Sequence, residues 1–368
     1  MLYLQTDLPQ LTVTNEWHQL EGERKTRKLI EIDGEHERIP IAFVGDVGYI
    51  IGGDSKKIRR WRVSDGQEVG QLIDVGSDVY SIAVSRDGKW IVCGIWCCQV
   101  AVWDAESHEK VSEFAGRDGD GVWAVDISPD SMRIASGSGD SGTVYVWSRL
   151  TGEQLLGPLE HDFSVVAVRF SPDGQFIATA KWERESVRVY DGCDGHLLFD
   201  SPIEVDPGLP CHQSLAWLSD SKQLFALSRE GKIHCLDVPT GRILSTWATQ
   251  TGSTGSPRCI ALASNGAFIA ASTNSSVLFW DTATHMQIGS LIHHHPAIVW
   301  YIAISANDDL VISGGSKIIL RKLSDILPSS YFDDVGVFRC RSYSSRPTYC
   351  DRRSWSTACS LKDVLKKQ

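Results

Sequence analysis

Three consecutive histidines, His293, His294 and His295, stand just ahead of Trp300 and Tyr301. Imidazoles ligate zinc and move protons, so this stretch is the first place to look for chemistry. A structural zinc site needs four convergent ligands, and no cysteine lies near the triplet in sequence. A second candidate is Gly139-Asp140-Ser141-Gly142, a serine set among glycines in the manner of a nucleophile segment. It follows the β-patterned "RIASGS" and precedes "TVYVW", so it reads as a turn between two strands, for which Gly and Asp are suited. Ten cysteines are spread along the chain without a CxxC or a disulfide rhythm, and read as reduced, mostly buried thiols. There is no P-loop, GxSxG or HExxH, and the acidic residues are scattered through turns without the close pairing that hydrolysis requires. The sequence therefore predicts no catalytic residue, no metal and no cofactor.

The elements that carry these residues repeat. The runs "IRRWRVSDG", "VAVWDAESH", "VYVWSRLTG", "VRVYDGCDG", "IHCLDVPTG", "VLFWDTATH" and "IILRKLSDI" each combine a β-patterned stretch, a large residue and a polar turn. The large residues are Trp61, Trp103, Trp147, Tyr190, Leu236, Trp280 and Arg321, spaced by 42, 44, 43, 46, 44 and 41 positions. A period of this length, seven times over, predicts one four-stranded blade per unit. About 20 residues before each slot lies a second strand. Its pairs Ile41/Phe43, Ile82/Val84, Val125/Ile127, Val168/Phe170, Leu215/Trp217, Ile260/Leu262 and Ile302/Ile304 are apolar at i and i+2. Between the pair members sit Ala42, Ala83, Asp126, Arg169, Ala216, Ala261 and Ala303. Small residues suit the crowded strand nearest a propeller axis. Turns such as "SRDG", "SPDG" and "ASNG" follow at the same place in the unit.

With the repeat in register, the chain resembles a WD-repeat (WD40) β-propeller of the transducin β-subunit type, over residues 28–326, in a style similar to WD-repeat arrays of fungi. The unit "LEHDFSVVAVRFSPDGQFIATAKWERESVRVYDG" at 159–192 matches the pattern best. The resemblance implies an all-β fold: a seven-bladed propeller of four-stranded antiparallel blades, its ring closed by an N-terminal strand. "KLIEI" at 28–32 is the predicted donor of that strand, and closure would remove an exposed sheet edge. Trp61, Trp103, Trp147, Tyr190 and Trp280 become structural repeat residues. His161 and His295, each nine positions before the second apolar member of its inner strand, take the family's histidine slot. There the imidazole bridges strands by hydrogen bonds with a Ser or Thr, an Asp and the Trp. Gly34, Val75, Asp118, Gly208 and Ser253 fill the other five slots, and no blade carries the full set. Stability then rests mostly on apolar packing between blades. His293 and His294 are left as loop residues.

For function, the resemblance implies a noncatalytic scaffold or adaptor that presents its loop faces to other proteins or peptides, as a monomer or within a hetero-complex. The alternatives are a propeller-type enzyme with a metal or polar site at the channel mouth, and a sensor module of a larger signalling assembly. Tyr80, Trp123 and Trp300 share one slot near the start of the inner strand, with Phe163 two residues before the corresponding slot. They are candidates for a partner-binding aromatic patch; core packing is the expectation for the first three and exposure for Phe163. Asp126 and Arg169, in equivalent places of neighbouring units, are counted with the partner-binding candidates, as an interblade ion pair or as polar rim contacts. A net charge of −10 argues against nucleic acid or an acidic membrane surface as partner. The first residues, "MLYLQTDLPQ", lack a basic and then apolar leader, so a cytoplasmic location is expected, with the nucleus as the alternative. Residues 1–27 form a polar N-terminal extension and 327–368 a basic, Ser/Arg-rich tail that reads as disordered. Over 332–368, eight Lys/Arg against four Asp/Glu give +4, which leaves −14 for the rest.

Overall fold

A computed structural model describes residues 28–332 apart from 34–37, 46–47, 98, 116–119, 182–185, 204–212, 229, 250–258, 273–274 and 294–297. His294, His295, Gly34, Asp118, Gly208 and Ser253 lie outside the described residues, as do 1–27 and 333–368. Among the described residues the strands form seven four-stranded antiparallel sheets. Blade one comprises Ile41–Val44, Tyr49–Asp54, Lys57–Arg62 and Ile73–Asp74, and blade two Val79–Val84, Trp90–Ile95, Gln99–Asp104 and Lys110–Ala115. Blade three is Val122–Ile127, Arg133–Ser138, Thr143–Ser148 and Gln154–Glu160; blade four is Val165–Phe170, Phe176–Lys181, Val187–Asp191 and Leu197–Ser201. Blade five is Leu215–Trp217, Gln223–Leu227, Lys232–Asp237 and Arg242–Ala248; blade six is Ile260–Leu262, Phe268–Ser272, Ser276–Asp281 and Gln287–His293. Blade seven takes Tyr301–Ile304, Leu310–Gly314 and Lys317–Lys322 from the end of the chain and Lys28–Asp33 from its start.

The N-terminal strand thus occupies the outer place of blade seven, with Glu31 opposite Ile319 and Asp33 opposite Lys317. Each inner strand touches the next around the ring, and that of blade seven touches that of blade one. Turns between second and third strands share one face, called upper here, with the connections between blades. The other turns form the lower face.

Alternation of side chains sends one apolar set of each blade toward each neighbour. The core accordingly divides into seven clusters, one per seam between blades. Trp61, Trp103, Trp147, Tyr190, Leu236 and Trp280 all face the preceding blade in these clusters. The repeated large residue is therefore the one that fills the seam. Gly52 makes room for the Trp61 indole: a Cβ there would stand 3.0 Å from the ring and 2.9 Å from Ile39.

Arg321 takes the same slot in blade seven and is only 3% exposed. Its Nη2 donates to the His293 carbonyl at 3.0 Å, and Nε has no hydrogen-bond partner among the described residues. Burial pushes its guanidinium down to about 10, with Glu31 opposing. A buried charge with one neutral acceptor is a poor occupant. Arg321→Met should unfold in urea at the wild-type midpoint or above it; a loss of more than about 2 kcal/mol would contradict this.

The lower face departs from expectation at one end. Residues 327–332, predicted to open the tail, pack against blade six instead. Leu327, Tyr331 and Phe332 join the cluster between blades six and seven, and the Tyr331 hydroxyl donates to Asp281 at 2.7 Å. The Tyr331 ring meets Phe268 edge-on at 6.0 Å. The described propeller therefore continues to residue 332, and the rest of the predicted tail lies outside the described residues.

Candidate partner-binding face

Each candidate from the sequence has a definite place. Ser141 lies in the upper turn between the second and third strands of blade three, as expected. Its hydroxyl is held by Thr143 Oγ1 at 2.7 Å and Ser138 Oγ at 3.1 Å, hydroxyl groups rather than an imidazole base. His293 ends the outer strand of blade six, its Nδ1 3.3 Å from Ser276 Oγ. Of the cysteines described, Cys93, Cys235 and Cys259 are buried, while Cys97 and Cys193 are exposed. Burial pushes the Cys93 thiol up to about 12, as expected of an unreactive core residue. Among the described residues, no three His, Cys, Asp or Glu side chains are grouped to hold a metal ion.

His161 is the strand bridge of blade four. Its Nε2 lies 3.2 Å from Thr179 Oγ1 and 3.3 Å from the Tyr190 hydroxyl. Three members of the family's hydrogen-bonded set are thus assembled, with Tyr in the Trp place. Blade three assembles a different pair, Trp147 Nε1 donating to Ser136 Oγ at 2.8 Å. Thr179 and Ser136 sit at one position of the second strand, which Gly52 and Cys93 fill in blades one and two. That series lies 9–11 positions before the Trp slot and can be read from the sequence once the register is known.

Burial pushes the His161 imidazole down to about 3, helped by the nearby charges of Arg188 and Lys181 and opposed by Asp200. The folded state holds it neutral, while the unfolded chain protonates it near its ordinary value of 6.5. Its contribution to stability is complete above pH 6.5 and is lost as pH falls from there toward 3. The urea midpoint should fall from pH 7 to pH 5, and fall less in His161→Gln. Equal slopes in the two proteins would refute this. Some slope will remain in the variant, because burial lowers His108 and His234 too.

Asp126 and Arg169 form the ion pair, with Oδ1 3.5 Å from Nη1. Asp126 Oδ2 also accepts from the Phe170 backbone N–H at 2.7 Å. Burial raises the Asp126 carboxyl and the Arg169 charge opposes that. Both residues join blades three and four rather than offering free charge to a partner. The same device recurs where Val125 N donates to Ser81 Oγ at 3.2 Å. Two longer bonds cross the upper mouth of the channel. The Tyr301 hydroxyl of blade seven donates to the Tyr80 carbonyl of blade two at 3.1 Å. Gln213, ahead of blade five, accepts from Ile302 N of blade seven at 2.9 Å.

The four aromatic candidates separate. Trp300 is 4% exposed, in the seam between blades seven and one, with the Arg38 guanidinium 4.6 Å above its ring. Its nomination as a partner-binding residue is corrected: it is core, as its alternation predicts. Tyr80 and Trp123 are half-buried rather than core, and Phe163 is half-buried rather than exposed. Tyr80 packs on Trp96, ring centres 5.5 Å apart, and Trp96 is 49% exposed on the upper face. Gly121 links this pair to Trp123; a Cβ on it would stand 3.2 Å from Trp123 Nε1 and 3.3 Å from Trp96 Cε3. Trp96 was missed because it lies in a turn, outside both repeated series. Its signal is a large aromatic in the turn "IWCCQ", where polar residues belong.

Two grooves of about 380 and 620 Å³ lie on the lower face beside the closing strand, the larger lined by Leu29, Ile30, Val63, Leu310 and Lys322 among others. They are open troughs far from the aromatic patch. Protein partners generally anchor on half-exposed aromatic surface, so the patch is the stronger docking candidate.

Comparison with known proteins agrees with the architecture. The family model described as "WD domain, G-beta repeat" matches residues 68–104, 108–148, 153–196 and 244–281. Each match starts in or near the outer strand of one blade; three end with the third strand of the next, and the match at 153–196 ends just before the outer strand Leu197–Ser201, an offset that leaves the last blade to be completed by the N-terminal strand. The Drosophila melanogaster protein groucho is 32% identical over 136 residues, 35% of this chain and 18% of groucho. Eukaryotic translation initiation factor 3 subunit I of Phaeosphaeria nodorum is 29% identical over 161 residues, 39% of this chain and 45% of that protein. The matched stretch thus spans less than half of either relative. Four stretches of the chain thus match the WD40 repeat, and the described residues form a seven-bladed β-propeller.

Proposed function

We propose that this propeller is a noncatalytic platform that holds partner proteins or peptides on its upper face, through the patch of Tyr80, Trp96, Trp123 and Phe163. One observation carries the reading: Trp96 remains 49% exposed in its turn, its ring tilted against Tyr80 at 5.5 Å, over a channel mouth crossed by side chains. A rigid half-exposed indole is an anchor that costs little entropy to dock. WD40 propellers generally mediate protein–protein contact, and one relative is by name a subunit of a larger factor. The inner-strand slots are mainly alanine, which leaves little acid–base chemistry around the axis.

The test is quantitative affinity capture from native lysate with the wild-type chain, Trp96→Ala, and Leu244→Ala as an exposed outer-strand control. Partners lost with Trp96→Ala and kept with the control support the reading. Partners captured equally by all three proteins would refute the upper-face assignment.

A further inference from the structure

The upper-face patch combines aromatic rings with carboxylates. Trp96 N donates to the Asp78 carbonyl at 3.1 Å, which ties the turn bearing the indole to the segment bearing this carboxylate. Gly121 N donates to Asp140 Oδ2 at 3.1 Å, which holds the second carboxylate against the glycine that separates Trp96 from Trp123. Asp78 and Asp140 are both exposed. Asp78 Oδ1 accepts from Ser55 Oγ at 3.4 Å; Asp78 Oδ2 and Asp140 Oδ1 accept no bond among the described residues. After burial, these two carboxylates are what raise the Tyr80 hydroxyl, so their charge reaches the rings. Arg38 opposes them, and its guanidinium is already seated over Trp300.

Elsewhere in this propeller, cations cover aromatic faces. Arg149 lies 4.1 Å from the Trp90 ring centre, Arg60 4.8 Å from that of Tyr49 and Arg38 4.6 Å from that of Trp300. Among the described residues, no Lys or Arg lies over Trp96 or Tyr80, although Trp96 is the more exposed ring. A ring face with carboxylates beside it attracts a cation twice over, through the ring quadrupole and through charge. An acidic or phosphorylated ligand would meet repulsion there, and a purely apolar one would desolvate carboxylates without return.

We infer that Tyr80, Trp96, Asp78 and Asp140 form a subsite for a cationic side chain, an arginine or lysine on a basic peptide segment of the partner. The inference rests on the upper-face reading above and adds the chemistry of the ligand. A basic partner also fits the −14 carried by residues 1–331.

The test is fluorescence anisotropy with the full chain and a labelled Gly/Ser peptide carrying two central arginines, beside versions with citrulline, leucine or glutamate in their place. The arginine peptide should saturate. Citrulline substitution, Trp96→Ala, and the double variant Asp78→Asn/Asp140→Asn should each weaken it by about tenfold. Glu109→Gln/Glu113→Gln, on the outer strand side of blade two, should leave affinity within about twofold, as expected for remote screened charges. The proposal is overturned if the arginine peptide does not saturate, if citrulline or leucine peptides bind as tightly, or if the remote glutamates matter as much as the two aspartates. A partner that depends on Trp96 but is not displaced by the arginine peptide would retain the docking face and remove the cation subsite. A partner indifferent to Trp96 removes the docking face itself.

Discussion

A chain lacking residues 1–33 is expected to lose its cooperative melt. Lys28–Asp33 is the outer strand of blade seven, so its removal strips the backbone partners on one side of Lys317–Arg321 and opens a sheet edge. It also opens a seam. Ile30 is 9% exposed and belongs to the cluster that joins blades seven and one. A Cβ on Gly66, in the blade-one turn, would stand 2.7 Å from Ile30 Cγ2, so the strand bears on both sides of the join. Lys317 pairs with Glu31 at 2.7 Å and Asp33 at 3.2 Å across the same strands. These exposed pairs add little to stability, since such pairs contribute about 0–1 kcal/mol, and burial of Ile30 carries more of the closure. Ile30→Asp keeps the strand but buries an unpaired carboxylate, and should lower stability by several kcal/mol, on the order of 3 or more. Differential scanning calorimetry reads both variants. A truncated chain that melts at the wild-type temperature with the wild-type sharpness would refute closure by this strand.

Trp147→Ala should be among the most damaging single substitutions in the ring. Trp147 is 8% exposed and lies in the seam between blades two and three, stacked 6.0 Å from Phe114 and tilted 5.5 Å from Tyr145. Truncation to alanine removes the indole from a packed seam, at roughly 3–5 kcal/mol. It also leaves the buried Ser136 hydroxyl without its donor, a further ~1 kcal/mol. Tyr190→Phe is the instructive contrast. It keeps the ring in the equivalent seam and removes only the hydroxyl beside His161, so roughly 0.5–1.5 kcal/mol is expected. Urea unfolding of the two variants measures the difference. If Trp147→Ala cost less than Tyr190→Phe, the repeated aromatic would not be what holds the seams.

The repeat explains why so much of this fold is legible in the chain. Blades are built from strands of period two, and each blade asks for the same large residue at the same seam, so Trp61, Trp103, Trp147 and Trp280 mark the register directly. The closing strand is legible for the same reason: "KLIEI" has strand pattern and no blade of its own. Contacts between blades that are not neighbours are not legible. The Tyr301–Tyr80 bond joins positions 221 apart, and only closure of the ring brings them together. Tyr80 and Trp300 share one slot, yet one is half-buried and the other covered, because Arg38 and Ile39 lie against Trp300 whereas Tyr80 looks onto Trp96. Residues 327–332 follow the last repeat and precede an abrupt change of composition. Their anchor, Asp281, lies 50 positions away in another blade, where no local pattern points to it.

The central claim is that partners dock on the upper face of blades two and three. Hydrogen–deuterium exchange on the natively purified assembly, compared with the free chain, tests it most directly. Protection is predicted in peptides covering Asp78–Tyr80, Trp96, Gly121–Trp123 and Gly139–Asp140, with outer strands and lower turns unchanged. Protection confined to the lower turns or to the outer strands would contradict the account.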